Sequence, residues 1–315
     1  MRRWLALPLL FATAQAMAQG TPPAAPPEPE QTLADQMTFG DTGARMTVPV
    51  VIAGAGPFPF IIDTGAQRTV VSRELAATLG LPKGRDVRVT SMTGISDTGT
   101  VKIAGLSVSS IGSERIEAPA FEQRHLGAPG MLGIDTLQGH ALDIDFDAQT
   151  MAVIPSKRRA RRIAARSDEI VITAKSLFGQ LIVTDAFIGN QRVRVILDTG
   201  SVVSLGNEAL RRKVLRGSRA GTPIRLVSVT GASLTADYTV LDRIKIGDLG
   251  IDQLPIAFAD AAPFARFGLA DKPAIMLGMD ALKLFRSVRI DFANRELRLA
   301  LPRDQSRTRG RGRGA

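Results

Sequence analysis

At 315 residues, with 44% apolar and 22% charged side chains, the chain is long enough for two ordinary domains and apolar enough to fill their cores, which excludes a wholly disordered protein. It contains no cysteine, so disulfides, a thiolate nucleophile and lipid attachment through cysteine are excluded as well. The formal charge of +10 is concentrated in Arg2 and Arg3, in the run Lys157, Arg158, Arg159, Arg161, Arg162 and Arg166, and beyond Arg303, leaving the rest nearly neutral and giving no sign of specific nucleic-acid binding.

Residues 1–18 read as a signal peptide: Met1-Arg2-Arg3, an apolar stretch from Trp4 to Ala14, and the small-x-small site Ala16-Met17-Ala18. The stretch is shorter than the roughly 20 residues of a membrane-spanning helix, and Pro8 interrupts it. The expectation is export to the periplasm or medium, with Gln19 as the first mature residue. Residues 19–36 are rich in Pro and Ala and read as a solvated spacer. Folding is expected to begin at 37, with an N-terminal lobe over 37–155, a basic linker over 156–167, a C-terminal lobe over 168–302 and a disordered Arg/Gly-rich tail over 303–315.

The two lobes carry the same landmarks in the same order, as a duplicated unit does. Phe58–Ile62 leads into Asp63-Thr64-Gly65-Ala66, and Val193–Leu197 into Asp198-Thr199-Gly200-Ser201. Ser91-Met92-Thr93-Gly94 is answered by Ser228-Val229-Thr230-Gly231, Leu132-Gly133-Ile134-Asp135 by Leu277-Gly278-Met279-Asp280, and Asp145 by Asp291. Short runs rich in Val, Ile and Thr, punctuated by Gly, Asp, Asn and Pro, predict a mainly β protein built from small barrels or sandwiches. Helices are expected only over Glu74–Leu79, Glu208–Val214, Asp135–Leu137 and Asp280–Phe285.

Asp-Thr-Gly alone says little, since it recurs at Asp41 and Asp97. Those two follow glycine-containing stretches and read as turn residues. Asp63 and Asp198 instead follow five strand-type residues, so a buried strand delivers each carboxylate into a glycine turn. The repeated Asp135, Asp280, Asp145 and Asp291 read as turn and interface hydrogen-bonding groups. The two histidines, His125 and His140, lack ligand-type neighbours at helical spacing, so no metal site is indicated; each reads as an ordinary surface or loop residue.

The apolar strand, the Asp-Thr-Gly-Ala/Ser turn and the later Leu132-Gly133 and Leu277-Gly278, each preceded by Met, resemble the retropepsin-like aspartic peptidases, most of all their bacterial exported representatives. The resemblance implies two acid-protease β-barrel lobes in one chain about a pseudo-two-fold axis, as in pepsin-like enzymes. It implies an endopeptidase in which Asp63 and Asp198 activate one water without any cofactor. Thr64 and Thr199 would hydrogen-bond across the lobe interface, and Gly65 and Gly200 would let backbone N–H groups approach the carboxylates. Ser201, where the first lobe has Ala66, would donate to Asp198 and make it the more acidic partner. Hairpins at Ser91–Gly99 and Ser228–Ala236, with Met92, Thr93, Gly94, Val229, Thr230 and Gly231 at their tips, would form substrate-covering flaps. The expected partner is a polypeptide substrate, the chain is expected to be monomeric, and the basic linker and tail would touch anionic envelope surface. Two other readings remain open: a non-catalytic peptide or envelope-ligand binder on the same fold, and two homodimeric half-sites made with a second chain.

Overall fold

The computed structural model describes residues 3–5, 47–108, 115–159, 163–215 and 221–302. Outside these residues lie most of the expected signal peptide, the 19–36 spacer, the first residues of the N-terminal lobe with Asp41, part of the linker, and the 303–315 tail. Within the expected signal peptide, Arg3–Leu5 forms a short strand parallel to Leu249–Ile251.

Each lobe contains an antiparallel hairpin whose second strand delivers an aspartate. In the N-terminal lobe Thr47–Ile52 pairs with Ala55–Ile62, and in the C-terminal lobe Gln180–Ile188 pairs with Gln191–Leu197. The ends of the delivering strands, Phe60-Ile61-Ile62 and Val195-Ile196-Leu197, are buried without alternation, as a strand covered on both faces requires. Gly130–Leu132 then lies parallel to Ala55–Ile62 and antiparallel to Val70–Ser72. Ala274–Leu277 repeats this between Gln191–Leu197 and Leu205–Gly206. The crossing brings the Leu-Gly motifs under the aspartates: the Asp63 N–H donates to Leu132 O at 2.9 Å and that of Asp198 to Leu277 O at 3.0 Å. Gly133 and Gly278 are needed there, because a Cβ would stand 2.4 Å from the Arg68 backbone and 2.8 Å from that of Val203.

The expected helices form at Arg73–Thr78, Glu208–Val214, Ile134–Leu137 and Met279–Leu282. Ser72 and Asn207 cap the first two, accepting from the N–H groups of Leu75 and Leu210 at 3.0 and 2.9 Å. Two further helices, Gln123–Leu126 and Ala262–Arg266, were not expected, because one turn leaves no periodicity in a sequence. Asp97 is a correction: it sits inside the strand Gly94–Ile103, opposite Arg88 of Lys83–Ser91, since the hairpin turns earlier, at Met92-Thr93.

The lobes share a five-stranded antiparallel sheet, ordered Thr150–Pro155, His140–Asp145, Ser287–Asp291, Glu296–Ala300 and Glu169–Thr173. Its central pairing, Leu142 opposite Ile290, joins the two halves, and the principal core runs through it, from Ile62 and Leu132 past Ile144 and Ile290 to Leu277. Here Asp145 and Asp291 close the corresponding turns by accepting from Ala148 and Asn294 N–H groups.

The basic linker does not swing free where it is described. Arg159 pairs with the buried carboxylates of Asp291 and Glu296 at 3.0 and 3.2 Å. Arg298 binds Glu296 and Glu169 and donates to the carbonyls of Ile163 and Ala164. These arginines neutralise acids that the shared sheet buries, and in doing so they pin the linker to it. Removing one member of a buried ionic network costs about 3–5 kcal/mol. Arg298→Ala is therefore expected to lower stability by about 3 kcal/mol and to speed trypsin cleavage within 156–167, read by denaturant titration and by the appearance of two fragments of nearly equal size.

Candidate active site

The two Asp-Thr-Gly turns meet at the lobe interface through their threonines. Thr64 Oγ1 donates to Leu197 O at 2.8 Å and Thr199 Oγ1 to Ile62 O at 2.7 Å. Each hydroxyl also accepts from the other threonine's N–H, at 3.1 and 3.2 Å. Both side chains are buried, so four polar groups that water cannot reach are satisfied only by the opposite lobe. This is the crossing bond expected of Thr64 and Thr199.

The carboxyls sit directly beyond. Asp63 Oδ1 accepts from the N–H groups of Gly65 and Ala66 at 2.8 and 2.9 Å, and Asp198 accepts from those of Gly200 and Ser201. The two carboxyls converge, each lying against the glycine of the opposite turn. Each glycine permits this approach: a Cβ at Gly65 would stand 2.7 Å from Asp198 Oδ1, and one at Gly200 2.3 Å from the Asp63 carboxyl carbon. Burial, then the neighbouring charge of Asp63, hold the Asp198 carboxyl well above the usual carboxylate range. Ser201 Oγ donates to Val203 O at 2.7 Å, so its hydroxyl is spent on the turn and does nothing to make Asp198 more acidic.

A second repeated cluster holds the turns to the Leu-Gly crossing. Thr69 donates through N–H and hydroxyl to Asp135, and Ser204 does the same to Asp280; the N–H groups of Gly133 and Gly278 return to the Thr69 and Ser204 hydroxyls. Thus Asp135 and Asp280 are structural, as their repetition suggested. Burial pushes Asp280 up to about 6 despite these donors.

Between the lobes lies a cavity of about 240 Å³ lined by Asp63, Gly65, Ala66, Asp198, Gly200 and Ser201. Of the expected flap residues, Met92 and Val229 reach its wall, while Thr93, Gly94, Thr230 and Gly231 stay off it at the turns. Each hairpin crosses to the other lobe. Met92 packs on the C-terminal cluster around Phe264 and Phe267, and its carbonyl accepts from Ala262 N–H at 3.1 Å; Val229 packs on the N-terminal cluster around Phe121 and Met131. Gly231 lies against the His125 ring, and His125 lines the cavity, so it is a cleft residue and not an ordinary surface one. Nothing in the order of residues around His125 signals this, because the one-turn helix that carries it has no periodicity to read.

Gln180 is a cleft residue that sequence reasoning missed. It is 1% exposed, lines the cavity and donates from Nε2 to Gly65 O at 2.8 Å, while its Oε1 has no hydrogen-bond partner. A strand-end glutamine resembles any surface polar residue until the hairpin Lys175–Leu177 with Gln180–Ile188 tucks it under the turn.

Thr64→Ala is expected to cost about 2–4 kcal/mol, since it strands buried groups in both lobes, and Thr64→Ser to recover most of that by urea titration. For Asp280, the folded state holds its proton from the ordinary 3.8 up to about 6, so stability falls as pH rises across that interval, by about 3 kcal/mol in all. The stability difference between the wild type and Asp280→Asn, measured at pH 4, 5, 6 and 7, should track this slope.

A family model described as aspartyl protease matches residues 48–136 and again 184–281. No curated protein matches the chain. The two matched stretches each contain one Asp-Thr-Gly turn, one crossing hairpin and one Leu-Gly motif, and together they span more than half of the sequence: the chain belongs to the aspartyl protease family, as a two-lobed, retropepsin-like member.

Proposed function

We propose that the protein is an aspartic endopeptidase that hydrolyses peptide bonds with a water activated between Asp63 and Asp198. The observation that carries the reading is the contact of two carboxyls from two repeats, each cradled by backbone N–H groups at the floor of one cleft. Two like charges this close cannot both persist, so the pair holds one proton, as is general for aspartic proteases. The pair titrates as a unit, and this reading places its proton on Asp198, which burial and the charge of Asp63 raise.

In the reaction Asp63 takes a proton from the water while the water oxygen attacks the scissile carbonyl carbon, and Asp198 donates its proton to the carbonyl oxygen. The tetrahedral intermediate then returns the hydroxyl proton to Asp198, Asp63 delivers its proton to the amide nitrogen, and the C–N bond breaks. The dyad ends with one proton, as it began. Both turns belong to one chain, which favours a monomeric site over half-sites completed by a second copy. A costly buried carboxyl pair favours hydrolysis over simple binding. The positive amino terminus, apolar stretch and small-x-small site support export to the periplasm or medium.

Asp63→Asn and Asp198→Asn, each alone, are expected to lower peptide hydrolysis by about 10²- to 10⁴-fold without loss of fold, assayed on a peptide library by mass spectrometry alongside thermal unfolding. Wild-type activity should fall as pH rises through the elevated Asp198 value, because the proton donor is then lost. Undiminished cleavage by Asp63→Asn sinks the mechanism.

A further inference from the structure

The charged groups around the cavity are one-sided. Apart from the dyad, its titratable lining residues are Arg68, Arg88, Arg266 and His125, with no further acid. Arg88 already faces Asp97 at 3.7 Å. Arg68 and Arg266 are exposed and make no ion pair among the described residues.

These two arginines reach the cavity on either side of Gln67 in the contact network, one through the chain and one through a hydrogen bond. Arg68 follows Gln67 at the end of the Asp63 turn, and Arg266 reaches from the C-terminal lobe to donate to Gln67 Oε1. The Arg266 guanidinium also lies 5.8 Å over the Phe178 ring, a contact that orients it without neutralising it. The internal repeat has no equivalent at the other end: the residues matching Gln67-Arg68 are Val202-Val203, and Val203 is 4% exposed inside the C-terminal core. That end offers Phe121, Met131 and Val229, with His125 beside them facing Glu122 at 3.8 Å.

An extended peptide threading this cleft therefore meets two exposed arginines on one side of the dyad and, on the other, a mainly apolar wall that carries the His125–Glu122 pair. Resting on the peptidase reading, we propose that the site selects peptides with an aspartate or glutamate on one side of the scissile bond, seated against Arg68 and Arg266, and an apolar residue on the other side. A guanidinium presents paired donors to a carboxylate. The residual negative charge of the dyad repels a substrate acid from the centre, so the arginines also fix how far along the cleft that acid sits. Neutral peptides gain nothing from these arginines, and basic ones are repelled by them.

The test uses the full-length protein and matched peptides that differ only by Glu or Gln near the scissile bond. The cleavage-site profile from a peptide library should be enriched in Asp and Glu at positions on one side only. For the matched pair, kcat/KM should favour Glu by about tenfold at low salt, and the ratio should shrink as salt rises. Arg68→Gln with Arg266→Gln should bring the ratio close to one. Arg68→Lys with Arg266→Lys should keep most of it, and Arg192→Gln, a charge removed on a strand outside the cleft lining, should leave the ratio as it was. A wild-type ratio near one, or a ratio that survives the double Gln variant, overturns the inference. Binding of the same fluorescent peptides to Asp63→Asn separates this failure from that of the enzymatic reading. If the wild type cuts nothing yet Asp63→Asn prefers the Glu peptide through the two arginines, the selectivity stands and the peptidase assignment falls. If the wild type cuts both peptides equally well, the peptidase assignment stands and the selectivity falls.

Discussion

Thr64 and Thr199 each give a hydroxyl proton to the last strand carbonyl of the other lobe and take back an N–H from the opposing threonine. None of these groups has access to water, so each lobe completes the other's hydrogen bonding, and the relative position of the two turns is set to the tolerance of a hydrogen bond. Everything at the floor of the cleft inherits that tolerance. The carboxyls lie one residue before the threonines and the glycines one residue after, so the contact between Asp63 and Asp198 follows from the crossing and from the absence of two Cβ atoms.

Holding two carboxyls together out of water is unfavourable, and the surrounding structure is arranged to bear it. Backbone N–H groups point at both acids, the Thr69–Asp135 and Ser204–Asp280 clusters tie the turns to the Leu-Gly crossings, and the shared five-stranded sheet locks the lobes together from below. A raised Asp198 at that position is what the proposed mechanism asks of its proton donor. The buried ion network around Asp291, Glu296 and Arg298 serves the same scaffold and fastens the linker between the repeats to the sheet that both repeats build.

The repeat is faithful at the floor and departs from symmetry at the walls. Thr69 and Ser204 play one role with two side chains, as do Ser72 and Asn207 at the helix caps. Above the floor, Gln67-Arg68 faces the cleft where Val202-Val203 enters the core, Gln180 bonds the carbonyl of Gly65, and the two hairpins are tied down differently, one by a backbone hydrogen bond to Ala262 and the other by packing on the His125 side. A single chain makes such differences possible, since each half diverges on its own.

What was legible from sequence were the features carried by short, local patterns: the duplicated order of landmarks, the β-rich class, the four helices that follow capping or Leu-Gly signals, and the delivery of Asp63 and Asp198 from apolar strands into glycine turns. Those patterns are written in consecutive residues because strand burial and turn geometry are local demands. The structure alone decided the shared sheet, the direction of the Asp198 shift, the course of the Ser201 hydroxyl, and the arrival of Gln180, His125, Arg68 and Arg266 at one cavity. Each of these depends on partners far apart in the chain, on the path a turn takes, or on how deeply a group is buried. Neither separation in space nor desolvation is recorded in the order of amino acids until the chain has packed.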